Sequence, residues 1–179
     1  MPLDSAQMDT TASDAHTPEL RAEVAALLGR PPQGPFEVVV RDLAGGPVVL
    51  RNGPFLDDGT PMPTRYWLVG KELNRMVGRL EGVGGVKNAE AAVDADALAH
   101  AHEIYRAERD AVIEELRGTG AGGPTPSGGI GGTRRGVKCL HAHVANELAT
   151  GRDPVGRWAL EQLAEAGMVL SIAEKGGQA

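Results

Sequence analysis

The chain has a single cysteine, Cys139, in 179 residues. That excludes an intramolecular disulfide and any zinc site built on two or more cysteines of one chain. Aromatics are scarce, with two each of Phe, Tyr and Trp, so the core must rest on Val, Leu, Ile and Ala. No apolar run approaches the ~20 residues of a membrane span. The acidic amino terminus lacks the basic and apolar regions of a signal peptide. An excess of basic residues is also missing: 18 Lys and Arg stand against 24 Asp and Glu, a formal charge of −6. Bulk nucleic-acid binding needs a basic field and is not expected. These absences predict a soluble cytoplasmic protein that engages no membrane. Glycine and proline are abundant, at 25 and 12 residues, about a fifth of the chain and well above the usual share. Part of the chain is therefore irregular, while the length suits one compact domain.

Residues 1–16 are small and polar and read as a disordered tail. Thr17-Pro18-Glu19 has the form of an N-cap, a proline at the first helical position and an acid in the first turn. Leu20, Val24, Leu27 and Leu28 follow at helical spacing, and Gly29 is a stop. Phe36–Arg41 and Val48–Arg51 are β-branched runs around Ala44-Gly45-Gly46-Pro47 and predict a hairpin, with Arg65–Val69 as a third strand. Nothing there has βαβ spacing, so the fold class is α+β: a small antiparallel or mixed sheet over residues 36–70, packed by about four to five helices. Helices are predicted at 71–80, 88–117 (with a break or change of face early on), 137–150 and 153–167. Met168–Ala173 suggests a short strand, and 174–179 a frayed tail. Residues 118–132 hold eight glycines and two prolines and predict a mobile loop inside a domain spanning 17–173.

The basic residues are unevenly placed. Residues 1–29 hold five acids and one base, whereas 130–179 hold six bases and five acids, with Arg134, Arg135, Lys138, Arg152 and Arg157 crowded at the front. A local basic patch on an acidic chain favours a small anion over a polyanion. Gly131, Gly132, Thr133, Arg134, Arg135 and Lys138 form a glycine run, two arginines and a predicted helix start. Helix amino termini expose N–H groups and a positive dipole end, and arginine matches phosphate or carboxylate. Together they predict an anion cradle, although neither a P-loop nor a dinucleotide-binding spacing is present. The plain alternative is a glycine linker beside a solvated basic turn.

On the predicted helix, Val137, Leu140, Val144 and Leu148 form an aliphatic face, with Cys139, His143, Asn146 and Thr150 on the other side and His141 at its flank. Cys139 and His143, four apart, could be two ligands of a divalent metal or a thiolate–imidazolium pair. The alternative is a packed cysteine and a surface histidine. On the long helix Leu98, His102, Tyr105, Arg109, Val112 and Leu116 make one heptad-like face. His102 and Arg109 then need partners if buried, or snorkel to water if not. Arg65 and Trp67 share a strand face, with Arg65 a further lining candidate. Cys139, His143, His141 and His102 are the catalytic candidates, for hydrolytic or transfer chemistry on a phosphate-bearing small molecule.

Two strings, Pro63-Thr64-Arg65-Tyr66-Trp67-Leu68 and Gly131-Gly132-Thr133-Arg134-Arg135-Gly136-Val137-Lys138-Cys139-Leu140-His141-Ala142-His143, are followed by Asp153-Pro154-Val155-Gly156. Over roughly residues 30–165 the chain resembles the bacterial domain-of-unknown-function family 501. The resemblance implies a small cytoplasmic domain without an assigned activity. It also implies a genomic neighbourhood with a septum-formation initiator and an exopolyphosphatase-type phosphatase, hence phosphate chemistry or a division partner. In many members of that family a Cys-Pro pair follows the Tyr-Trp-Leu strand, whereas this chain has Val69-Gly70-Lys71. Three functional expectations therefore stand: an anion site lined also by Arg109 and Arg65, a metal site at Cys139 and His143, and a non-enzymatic protein-interaction module. The first requires His102, Arg109, Cys139, His143 and the Arg134–Lys138 turn to face one hollow.

Overall fold

A computed structural model describes residues 17–120 and 123–173. The expected tails at 1–16 and 174–179 lie outside the described residues. The first helix, α1 (Pro18–Leu28), is capped as its sequence predicts: the Thr17 hydroxyl accepts from the Leu20 amide, and Gly29 closes the helix at φ 71°. Strands β1 (Phe36–Arg41) and β2 (Pro47–Asn52) form the hairpin, and β3 (Tyr66–Leu68) pairs antiparallel with β2. The sheet order is β1-β2-β3, antiparallel throughout, with irregular register at Val38–Arg41. The short strand expected over 168–173 is a single bridge between Asp42 and Ile172.

Six α-helices accompany the sheet among the described residues, and the fold is α+β. Beyond α1 these are α2 (Lys71–Gly82), α3 (Gly85–Ala92), α4 (Ala95–Gly118), α5 (Leu140–Thr150) and α6 (Pro154–Glu165). The stretch read as one helix with a break divides into α3 and α4, because Val93 is extended and Asp94 caps a new helix by accepting from the Ala97 amide. Among the described residues no helix is long and apolar enough to cross a membrane.

The sheet is covered on both faces, so β2 is buried at Pro47, Val48, Val49 and Leu50 in succession. On one side Leu20 and Val24 of α1 pack with Phe36, Leu50, Val69 and the half-buried Trp67. On the other, Val49, Tyr66 and Leu68 meet Val77, Leu140, Val144 and Val155 in the main core. Helix α5 runs through this core, with Leu140, Ala142, His143, Val144, Ala145 and Asn146 all buried.

Two expectations about segments change. Part of the 118–132 loop is core: Ile130 is wholly buried in a 3-10 turn at Ile130–Gly132. The expected helix 137–150 begins only at Leu140, with Cys139 an extended N-cap at φ −155°. The Val137 amide is instead taken by the Glu90 carboxylate at 2.7 Å. Gly136 makes that approach possible, since it sits at φ 65° and a Cβ there would lie 2.5 Å from Glu90 Oε1.

Candidate functional site

The glycine-rich stretch and the turn after it fold as a strap tied to α4. His102, on α4, is 3 % exposed, and its ring holds both ends of the Ile130–Gly136 segment. Its Nδ1 accepts from the Ile130 amide at 3.0 Å, and its Nε2–H donates to the Gly136 carbonyl at 3.0 Å. This pair of bonds requires the neutral Nε2–H tautomer. Burial pulls the His102 pKa below the usual imidazole value, as do the nearby His143 and Arg106; the Gly136 carbonyl and the Asp153 charge oppose the shift. Arg109, about two helical turns further along, is also 3 % exposed and donates to the Gly128 carbonyl at 2.6 Å and to Asp110. Both side chains are therefore buried and partnered, not snorkelling.

The sign of the pH dependence follows. In the unfolded chain His102 titrates at about 6.5, and folding lowers that value. The stability it contributes is complete above pH ~6.5 and is lost as the pH falls from there through the folded value. The melting temperature is expected to drop between pH 7.5 and 5.5, and to drop less in His102→Gln, whose amide can keep both bonds. An equal drop in the variant would contradict this assignment.

Beneath His102 lies a second polar cluster. His143 and Asp153 are both wholly buried, and the imidazole Nδ1–H donates to both Asp153 oxygens at 2.9 Å. Asp153 also accepts from the Asn146 side-chain amide at 2.9 Å, the Val155 amide at 3.0 Å and the Gly156 amide at 2.9 Å. One carboxylate thus caps α6, ties α5 to α6 and fixes the His143 tautomer. The ring of His143 stands edge-to-face with that of His102, centroids 5.7 Å apart. Its Nε2 is the single buried side-chain N or O atom without a hydrogen-bond partner among the described residues. Such an atom forgoes about 1–3 kcal/mol of hydration.

The candidate residues do not converge on one hollow; they divide between two. An open cleft of about 780 Å³ runs along one face of α4, lined by His102, Glu103, Arg106, Asp96 and Leu98, with Glu90 from α3, Val93 after it, and Arg134, Arg135 and Gly136 from the strap. A second hollow of about 340 Å³ on the other side of the strap is lined by Gly131, Lys138, Cys139 and His141, with Tyr66 and Trp67 from β3. His143 and Arg109 line neither. Arg65 stacks on Tyr66, with its guanidinium carbon 5.6 Å from the ring centroid, and lies 4.0 Å from Glu108. Gly132 and Thr133 belong to the strap, where the Thr133 hydroxyl donates to the Arg135 carbonyl.

The helix-terminus cradle is occupied by the protein itself. Glu81 of α2 accepts from the Leu140 amide at 2.5 Å and from His141 Nδ1 at 3.1 Å. The other ring nitrogen of His141 faces the Asn74 carbonyl at 3.1 Å. The ring of His141 thus lies between two acceptors, the Glu81 carboxylate and the Asn74 carbonyl. The expected anion therefore finds a carboxylate already at the amino terminus of α5.

The thiolate and metal readings of Cys139 fare no better. Because Cys139 precedes the helix in extended backbone, its four-residue spacing from His143 does not place them side by side. Burial pushes the thiol pKa up, and the Glu81 charge adds to this, outweighing Lys138 and the backbone amides of Ala142 and His141. Among the described residues no group of three or more His, Cys, Asp or Glu side chains is arranged to hold a metal ion.

Sequence reasoning missed two residues. Asp153 was legible as a helix cap but not as the partner of His143, and Arg106 was not singled out at all.

No curated protein and no solved structure matches the chain. A family model does, over residues 38–161, most of the chain, and its span takes in β2, β3, the strap and the His143–Asp153 pair. The chain belongs to the family described as Protein of unknown function (DUF501).

Proposed function

We propose that the protein binds a small phosphate-bearing anion in the cleft along α4, held by Arg106, Arg134 and Arg135. One observation carries this reading. The guanidinium groups of Arg51, Arg65, Arg109, Arg117, Arg152 and Arg157 each have a carboxylate partner. Arg106, Arg134 and Arg135 have none among the described residues, as is true of Arg21, Arg30, Arg41, Arg75 and Arg79, but these three together line one cleft. Unpaired arginines around one concavity favour a planar or tetrahedral oxyanion. The cleft also carries Glu90, Asp96 and Glu103. Glu90 is engaged with the Val137 amide, and the other two favour a ligand that bears hydrogen-bond donors besides its anionic group. In this reading the family strings around the strap serve ligand capture, and the protein works in the cytoplasm as a binding protein or as a hydrolase or transferase of that ligand.

Calorimetric titration with inorganic phosphate and pyrophosphate tests the proposal. Binding is expected to weaken with ionic strength. Arg134→Ala with Arg135→Ala should weaken it by roughly tenfold or more, the loss of one or two charge-assisted hydrogen bonds. Arg157→Ala, which removes a paired arginine, should leave it unchanged. No heat at about 10 mM of either anion, well beyond the useful range for a specific site, overturns the reading.

A further inference from the structure

The His143–Asp153 pair has a use that the cleft alone does not explain. A buried carboxylate on Nδ1, a fixed tautomer and a free Nε2 are the parts of a general base: the carboxylate orients the ring and stabilises the imidazolium that forms. The carboxylate here is held by three further donors, and Nε2 meets no donor among the described residues. The His143 ring meets that of His102 edge to face, with centroids 5.7 Å apart, and the His102 ring pins Ile130 and Gly136. Ile130–Gly132 packs against both α4 and α5. The strap is thus tied to α4 by the one imidazole whose ring meets that of His143.

We propose that His143 Nε2, backed by Asp153, is a concealed proton-acceptor site that is reached when His102 releases the Ile130–Gly136 strap. Its ligand is an O–H donor: hydrogen phosphate itself, or the water or hydroxyl that accompanies an oxyanion. The ligand clause rests on the cleft reading, because Arg134 and Arg135 ride on the strap and His102 lines the cleft. On contact the O–H donates a hydrogen bond to the Nε2 lone pair; from dihydrogen phosphate, an acid matched to imidazole, the proton passes across that bond and leaves monohydrogen phosphate. The oxygen keeps the bonding electron pair, His143 becomes imidazolium, and Asp153 stays ionised beside it. The proton returns by the same path when the ligand leaves.

Acylation of histidines by diethylpyrocarbonate, read by peptide mass spectrometry at pH 7.5 on the full chain, tests this together with amide hydrogen exchange. His100 is exposed and serves as the reference. In the wild type, His143 should label at least about a hundredfold more slowly than His100, at a rate set by the opening that exchanges the Ile130 amide. Labelling only as fast as the Val144 amide of the core permits would mean that His143 is reached through global unfolding, and would overturn the proposal without any variant. His102→Ala should speed His143 labelling by at least about tenfold, with His102→Gln remaining slow. A folded His102→Ala that labels no faster than wild type also overturns it. Saturating phosphate should slow labelling of the wild type. Phosphate that binds calorimetrically yet leaves His143 labelling unchanged sinks the acceptor site and spares the cleft reading. Labelling through the Ile130 opening with no phosphate binding does the reverse.

Discussion

Asp153→Ala is expected to lower stability in urea unfolding by about 3–5 kcal/mol, the cost of leaving buried polar partners of a removed charge unpaired. The substitution strips the acceptor from His143, Asn146 and the Val155 and Gly156 amides together. Loss of the helix cap alone would account for only about 1 kcal/mol. The remainder comes from donors that no water reaches, since Asp153 and His143 are both wholly buried. Typical domains have about 5–15 kcal/mol in total, so the variant should sit near the edge of folding. Glu37→Ala is the contrasting case: it removes a surface partner of Arg51, a class of pair worth about 0–1 kcal/mol. If Asp153→Ala cost no more than Glu37→Ala, the cluster would not be the polar centre of the fold.

Gly156→Ala should be destabilising by about 1–3 kcal/mol or more, as overpacking in a dense core is. A Cβ at this position would lie 2.2 Å from the His143 carbonyl oxygen and 2.6 Å from Glu147 Cβ. The first of these is backbone and cannot rotate away, so α5 and α6 must separate. Separation would lengthen the bonds by which Asp153 reaches across from the start of α6 to His143 on α5. Thermal melting of Gly156→Ala against Gly167→Ala checks this. Gly167, at φ 86° with no atom near its Cβ, tests backbone strain without a clash. A smaller loss at Gly156 than at Gly167 would argue against tight helix contact.

How much of this was legible in the sequence depended on how far each interaction reaches along the chain. The caps at Thr17 and Asp153, the hairpin and the stop at Gly29 are local, and the structure has them at the expected residues. The stripe on α4 held for Leu98, His102, Tyr105 and Arg109, then drifted: Ile113 is buried where Val112 was expected. A straight helix turns every 3.6 residues, so a strict heptad drifts by about 20° per repeat, about 40° over the two heptads from Leu98 to Val112. The start of α5 was misplaced because Val137 and Leu140 give their amides to Glu90 and Glu81, 47 and 59 residues away. The same two carboxylates took the positions assigned to a bound anion. The sequence puts His143 opposite the aliphatic face of its helix as a metal-ligand or catalytic candidate, whereas the cover that α6 gives that side, through Asp153 and Gly156, is not written in the local pattern. The candidate site was therefore legible as a set of residue types and not as a geometry.

The folded unit is larger than the span that defines its family. Helix α1 precedes residue 38 and covers Leu50 and Trp67 on one face of the sheet. At the other end, Ala173 donates to the Arg41 carbonyl, well past residue 161. Recombinant fragments trimmed to the shared segment would therefore bare one side of the hairpin and lose the anchor at its edge, so expression boundaries belong at or outside residues 17 and 173.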